Sequence, residues 1–219
     1  MSNFLQLARE AKTASNVEEA LKYYQKVREG DVDNVEAKFF CGYLNVLNTV
    51  KGAFTGEFVK FSKMVRTIIA DLKSWEADEI EKQNLLVEIG TKMVTLPATS
   101  REIAYELYRI HPEGKDAVNM YISIAVGIKM LFELGDEISK YFPEYTKEAS
   151  VEIWKAGIAY FEKFGYGMDG MALRKQDASI TKEYCLSYVK KINKYEPDFA
   201  MKEKKPSLFE KILGVFKKK

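Results

Sequence analysis

The stretch from residue 116 to residue 134 constrains the fold most, because it is apolar on almost every side. Its core, VNMYISIAVGIKMLFEL over residues 118–134, has the length of a helix but no continuous polar face. A helix of this kind must be surrounded by other elements. The longest apolar run within it, residues 121–128, is far shorter than the roughly 20 residues that span a bilayer. The sequence therefore predicts a buried helix at the centre of a globular fold.

Most of the remaining chain shows apolar residues at helical spacing. One face of a single helix is predicted from Phe54, Phe58, Phe61, Val65, Ile68, Ile69 and Leu72. Further helices are predicted over residues 75–96 with Pro97 as the stop, over a short stretch from Ser100 to before Pro112, over 146–164 and over 180–195. No stretch alternates with a period of two, so we predict an all-α fold of about nine helices.

The first residues carry the signals of an antiparallel helical hairpin. Ala8 and Ala20 are small residues inside two amphipathic patterns, and they permit close approach of two helices. Between them, Asn16 is followed three residues later by Glu19, which is typical of a capped helix start. Residues 4–29 are therefore predicted to fold as a hairpin.

This hairpin resembles the tetratricopeptide-repeat family. The residues that carry the resemblance are Phe4, Leu7-Ala8, Ala20 and Tyr24, with Val32 where the repeat usually has proline. The next helix keeps small residues at Ala37 and Cys41-Gly42, but the register is lost after Asn48. The start also resembles that of uncharacterised bacterial helical proteins with a repeat-like beginning. The resemblance implies a surface that presents a groove to a peptide or protein.

These patterns divide the chain into three predicted parts. Residues 1–49 form the hairpin and the following helix, and residues 50–196 form a divergent helical body packed on it. Residues 197–219 form a charged linker and a basic amphipathic tail helix.

Composition and charge favour a helical globular protein without a dominant electrostatic field. Hydrophobic residues make up 47% of the chain, and the net charge is only +2. Residues 186–219 carry ten lysines against four acidic residues, a net charge of +6, which leaves −4 for residues 1–185. The two cysteines, Cys41 and Cys185, do not suggest a disulfide framework, and the charged N-terminus lacks the apolar core of a signal peptide. We therefore expect a cytoplasmic protein.

No residue pattern predicts catalysis, a metal site or a cofactor. His111, the only histidine, lies at a predicted helix end, where a positive charge is favourable. The glycine-rich GYGMDG, residues 165–170, lacks the Lys-Ser/Thr of a phosphate-binding loop and is expected to connect helices. The paired acids Glu18-Glu19 and Asp78-Glu79 lie among other charges on predicted solvent faces.

The C-terminal tail is the one segment that suggests a binding role. After Pro206, Ser207 begins a helix with an apolar face and lysines beside it. The candidate binding residues are Leu208, Phe209, Lys211, Ile212, Leu213, Phe216, Lys217, Lys218 and Lys219. Three destinations remain open for this helix: the protein's own body, an anionic membrane surface, which it would contact reversibly, and the groove of a partner. Nucleic acid is a weaker fourth, because its affinity would rest on phosphate contacts alone.

The function predicted from the sequence is a non-enzymatic interaction or scaffold protein that binds a protein or peptide. The alternative is a peripheral membrane adaptor, on the inner face of the membrane, that is anchored by the tail. An all-α enzyme with an unrecognised site is a third and weaker alternative.

Overall fold

The computed structural model describes residues 2–165 and 175–202, with side chains over 3–165 and 181–202. These residues form nine α-helices and no strand, which confirms the all-α prediction. The helices are α1 (Ser2–Thr13), α2 (Val17–Gly30), α3 (Val35–Asn48), α4 (Lys51–Ser62), α5 (Val65–Ser74), α6 (Glu79–Ile110), α7 (Lys115–Tyr141), α8 (Val151–Phe164) and α9 (Lys175–Ile192). One cluster of buried apolar residues, from Ala8 to Ile192, runs through them.

The N-terminal helices begin where the capping residues place them. The Asn16 side chain accepts a hydrogen bond from the backbone N–H of Glu19 at 3.2 Å, and Asn34 caps α3 through the N–H of Ala37 at 3.0 Å. Helices α1 and α2 pack against each other with Ala8 and Ala20 fully buried. The predicted hairpin is therefore present, while its membership of the tetratricopeptide-repeat family stays a prediction.

The single helix predicted through residues 54–72 is wrong. All seven apolar residues of the pattern are buried, but the chain bends at Lys63 and Met64 and forms two helices, α4 and α5. The Ser62 hydroxyl donates to the carbonyl of Val59 at 2.8 Å, within the last turn of α4. The bend has no glycine or proline to announce it.

The helix stop predicted at Pro97 is also wrong, because α6, which is 32 residues long, continues past it to Ile110. A proline inside a helix removes one backbone hydrogen bond, and this cost must be offset by packing. Here Pro97 is buried against α7 and α8, and the Tyr160 hydroxyl donates to its carbonyl at 3.0 Å. Ser100, predicted to cap a new helix, instead lies fully buried within α6, 3.4 Å from the hydroxyl of Ser123.

Helix α7 is the centre of the described fold, as its apolar sequence predicts. It contacts α4, α5, α6 and α8, and Ile124 and Leu131 are each only 1% exposed. By length and composition α7 is the one helix in the described ranges that could cross a membrane, and half of its most apolar window is buried within the protein. Core helices of globular proteins share these properties.

Glycines let α7 and α8 pack closely. A Cβ atom on Gly135 would lie 2.4 Å from Nε1 of Trp154, and one on Gly157 would lie 2.9 Å from the Phe132 ring. The two helices therefore fit together with the aromatic rings of each set against the glycines of the other.

The C-terminal elements pack against α7 and α8. A 3-10 turn (Pro143–Tyr145) and a π-helical turn (Thr146–Ser150) lead into α8, which ends as predicted at Phe164. Helix α9 begins five residues before its predicted start at residue 180, and Tyr188 stacks on Phe132 with ring centres 3.8 Å apart. Cys41 and Cys185 are buried free thiols, in agreement with the absence of a predicted disulfide.

Candidate functional site

An apolar groove lies between α6 and the start of α8. One wall is α6 from Gln83 to Thr95, and the opposite wall is formed by Tyr145, Ala149 and Ile153. The groove encloses about 600 Å³, and its surface is mainly apolar. Cavities of this size that are apolar with a few polar groups are typical of binding sites.

Helix α6 forms its wall because it carries two apolar stripes. Leu85, Leu86, Ile89 and Met93 form the predicted stripe, and all four are buried. Ile80, Val87 and Val94 recur at every seventh position on a second side, where Val87 is 69% exposed. Seven residues are almost two turns of a helix, so these three side chains form one exposed row.

The shape of the groove follows from the way that α6 and α8 approach each other. They run parallel and meet where the Tyr160 hydroxyl donates to the carbonyl of Pro97, two residues beyond Thr95 at the end of the groove wall. One position of the groove wall, Gly90, carries no side chain, and a Cβ there would have only Ile153 Cδ1 within 4 Å. The groove therefore lies beside the point where α6 and α8 meet, and at Gly90 its α6 wall has no side chain.

The charged side chains in the lining are both acidic. Glu148 and Glu152 lie along the α8 wall, and Lys155 pairs with Glu152 at 2.8 Å. Lys155 also pairs with Glu196, at 2.6 Å, so its charge is shared between two carboxylates. The rim of the groove is therefore biased towards negative charge and favours a positively charged ligand.

A second feature is a cluster of charged side chains between α1, α3 and α6, in which Glu36 is buried and the others are partly exposed. The carboxylate of Glu36 is almost fully buried, and it accepts hydrogen bonds from Arg9 Nε at 2.9 and 3.0 Å and from the Tyr24 hydroxyl at 2.7 Å. Arg9 also contacts Glu81 at 2.7 Å, and Lys12 contacts Glu88 at 2.8 Å. These side chains line a polar cleft of about 530 Å³.

The charged cluster is satisfied by its own members. Hydrogen bonding to Glu36 raises the pKa of Arg9, and burial together with the Glu36 charge raises the pKa of Tyr24. Both raised pKa values favour the protonated forms, a cationic guanidinium and a neutral phenol, and these are the forms that donate hydrogen bonds to Glu36. This cluster holds α1 and α3 against α6. It also places α6 across the face of α1 that carries Arg9 and Lys12.

The candidate residues named from the sequence fall mostly elsewhere. The tail residues Leu208, Phe209, Lys211, Ile212, Leu213, Phe216 and Lys217–Lys219 lie outside the described residues, so their binding role stays a prediction. His111 caps the end of α6, where its backbone N–H bonds to Leu107 at 2.9 Å. Of the GYGMDG loop, only Gly165 lies in the described part of the chain, at the end of α8.

Sequence reasoning did not predict the groove. The sequence indicates the groove only through Val87 and Val94, which are apolar residues outside the stripe of Leu85, Leu86 and Met93. A helix with a second apolar stripe has two faces to cover, and the described structure covers only one of them. In the described residues no group of three or more His, Cys, Asp and Glu side chains has the geometry to hold a metal ion.

Comparison with known proteins identifies no family for this chain. No protein-family profile matches it, and no curated protein or solved structure shows significant similarity.

Proposed function

We propose that the protein is a non-enzymatic interaction protein that binds an amphipathic helix of a partner protein in the apolar groove. The observation that carries this proposal is the exposed row of Val87 and Val94 beside a cavity of about 600 Å³. An apolar row of this kind loses contact with water when a second helix covers it. Each fully buried valine would contribute up to about 1.5–3 kcal/mol.

A helix fits this groove better than an extended peptide. The α6 wall from Gln83 to Thr95 is about 18 Å long at 1.5 Å per residue, which corresponds to about three turns of a helical ligand. The described residues contain no strand edge that an extended peptide could join through its backbone. Gly90 leaves one position of the α6 wall without a side chain, with Ile153 Cδ1 4.0 Å from the place of its Cβ, so a ligand helix can approach α6 most closely there.

The partner helix should be basic on the side that borders α8. Glu148 and Glu152 lie on this rim, and an opposite charge there steers association and fixes the orientation of the ligand. Binding should therefore weaken as salt concentration rises, because exposed charges are screened within about 8–10 Å at physiological ionic strength.

A labelled synthetic peptide with leucine on one helical face and lysine on the other tests the proposal. Fluorescence anisotropy would measure its affinity for the full chain, for Val87→Asp, and for Val50→Asp as the matched control at another exposed valine. We expect Val87→Asp to weaken binding by at least about tenfold and Val50→Asp to leave it unchanged. Equal affinity in all three proteins, or equal binding of a scrambled peptide, would overturn the proposal.

The membrane adaptor is the second candidate, and it rests on the sequence of the tail. Lys217–Lys219 follow the apolar residues Phe209 and Phe216, an arrangement suited to an anionic lipid surface. Co-sedimentation of the full chain with anionic vesicles, and not with neutral ones, would support this candidate. Retention on vesicles by the double variant Phe209→Ser/Phe216→Ser would exclude the tail as the anchor.

A further inference from the structure

The C-terminal tail of the protein has the apolar residues and the positive charge that the groove favours in a ligand. We propose that residues 207–219 of the same chain occupy the apolar groove and must leave it before a partner helix can bind. This inference rests on the proposed function, since it assumes that the groove is a helix-binding site. In this arrangement the tail binds in the groove and controls the access of a partner helix to it.

The apolar surfaces of the tail and of the groove match each other. In a helix that starts at Ser207, Phe209, Ile212 and Phe216 fall on one side, together with Leu208 and Leu213. The groove offers Val87 and Val94 on one wall and Ile153 on the other. Five large apolar side chains in the tail therefore meet a cavity whose surface is mainly apolar.

The tail is long enough to reach the groove and to fill it. The described chain ends at Lys202, whose backbone N–H donates to the carboxylate of Glu162 on α8. Glu162 and Ile153 are separated by nine residues of the same helix, which is about 14 Å along its axis. The four residues 203–206 can span about the same distance, and residues 207–219 as a helix would measure about 18 Å, the same length as the α6 wall from Gln83 to Thr95.

The tail and the rim of the groove carry opposite charges. The groove rim carries Glu148 and Glu152, and the tail carries Lys211 and Lys217–Lys219 against the single acid Glu210. Residues 1–185 have a net charge of −4, whereas residues 186–219 have +6. The attraction acts between parts of one chain, so the tail competes with any partner at a high effective concentration.

Accessibility of a thiol in the groove tests the proposal directly. The full chain with Val87→Cys would be labelled with a maleimide reagent, and the rate compared with that of the same chain carrying Phe209→Ser/Phe216→Ser. Val50→Cys, at 75% exposure, serves as the matched control, and the native thiols Cys41 and Cys185 are buried. We expect the tail variant to label about tenfold faster at position 87, and the control to be unaffected. Equal rates at position 87 would overturn the proposal.

Two further measurements separate this inference from the function on which it rests. If the tail occupies the groove, the leucine–lysine peptide should bind the Phe209→Ser/Phe216→Ser variant about tenfold more tightly than the wild-type chain. Equal, measurable affinities would leave the groove as a binding site and remove the tail as its regulator. No binding to either protein would overturn the proposed function itself.

Protection of the Val87→Cys thiol that rises with protein concentration would show that the tail of a second copy is the occupant, and would overturn the intramolecular arrangement.

Discussion

The contact between α7 and α8 and the contact between α1 and α6 join helices by different means. Helices α7 and α8 meet through glycines and aromatic rings, with Trp154 against Gly135 and Phe132 against Gly157. Helices α1 and α6 meet through long charged side chains across a cleft of about 530 Å³, with Arg9 reaching Glu81 at 2.7 Å.

The α7–α8 contact depends on the complementary shapes of the two helices, whereas the α1–α6 contact depends on charge. Close packing of glycines against rings tolerates almost no change in volume. Ion pairs between partly exposed side chains contribute little each and weaken in salt. We therefore expect the α7–α8 contact to set the stability of the protein, and the α1–α6 contact to adjust the position of the N-terminal hairpin.

The largest effect is expected from Phe132→Ala. Phe132 is fully buried, lies against Gly157, and stacks on Tyr188, so its removal leaves a cavity that rigid neighbours cannot fill. Truncations of this kind cost about 3–5 kcal/mol of unfolding free energy. Urea denaturation followed by circular dichroism would measure the loss. A cost below about 1 kcal/mol would show that the α7–α8 contact repacks easily.

A smaller effect is expected from adding one methyl group at a glycine. Gly135→Ala would bring a Cβ within 2.4 Å of Trp154 Nε1, and overpacking of this kind costs about 1–3 kcal/mol. Gly56→Ala is the matched control, because Gly56 lies inside α4 with nothing within 4 Å of its added Cβ. Alanine should stabilise α4 there by about 0.5–1 kcal/mol. Thermal unfolding of the two variants should therefore shift in opposite directions, and shifts of the same sign would contradict the packing argument.

Alkaline pH should destabilise the closely packed side of the molecule. Burial of Cys185 raises the pKa of its thiol to about 12 from an ordinary value of 9.0, so the folded state holds a proton that the unfolded state loses. The corresponding stability is present below pH 9 and declines as the pH rises towards 12, with a loss of about 1.4 kcal/mol near pH 10. Cys185→Ala should decline less than the wild-type chain between pH 8 and 10 when unfolding is followed in urea. Identical pH dependence in the two proteins would refute the role of this thiol.

The smallest effect is expected at the charged contact. Glu81→Gln/Glu88→Gln removes the partners of Arg9 and Lys12 on α6, while Glu36 and its bonds remain. Exposed or partly exposed pairs contribute about 0.2–1 kcal/mol each. Moderate salt should narrow the difference between this variant and the wild-type chain, whereas salt should leave the effect of Phe132→Ala unchanged. A stability difference that persists undiminished at high salt would show that these pairs are not screened.

The fold class and the start of α2 could be predicted because they depend on local chemistry. Asn16 and Asn34 cap helices through their own side chains, and the apolar run of α7 requires burial in any fold. Pro97 was misinterpreted because its tolerance within α6 depends on Tyr160, which is distant in sequence. The bend at Met64 was missed for a different reason, because neither glycine nor proline marks it in the sequence.

The groove could not be predicted because it is a property of two helices rather than one. Val87 is visible in the sequence as an apolar residue outside the main stripe, but its exposure depends on how far α8 lies from α6. That separation depends on the turns before Val151 and on the contact between Tyr160 and Pro97. In contrast, the tail could be recognised from its residues alone, and its place on the protein could not.

The parallel arrangement of α6 and α8 also bears on how the chain reaches its native state. Pro97 and Tyr160 are 63 residues apart in sequence, and the pair Gly90 and Ile153 has the same separation. Contacts between residues so distant along the chain slow folding, because a long loop must close before they form. The α1–α2 hairpin needs only a three-residue turn between its helices. Folding should therefore begin with local hairpins, and the groove should be among the last surfaces to form.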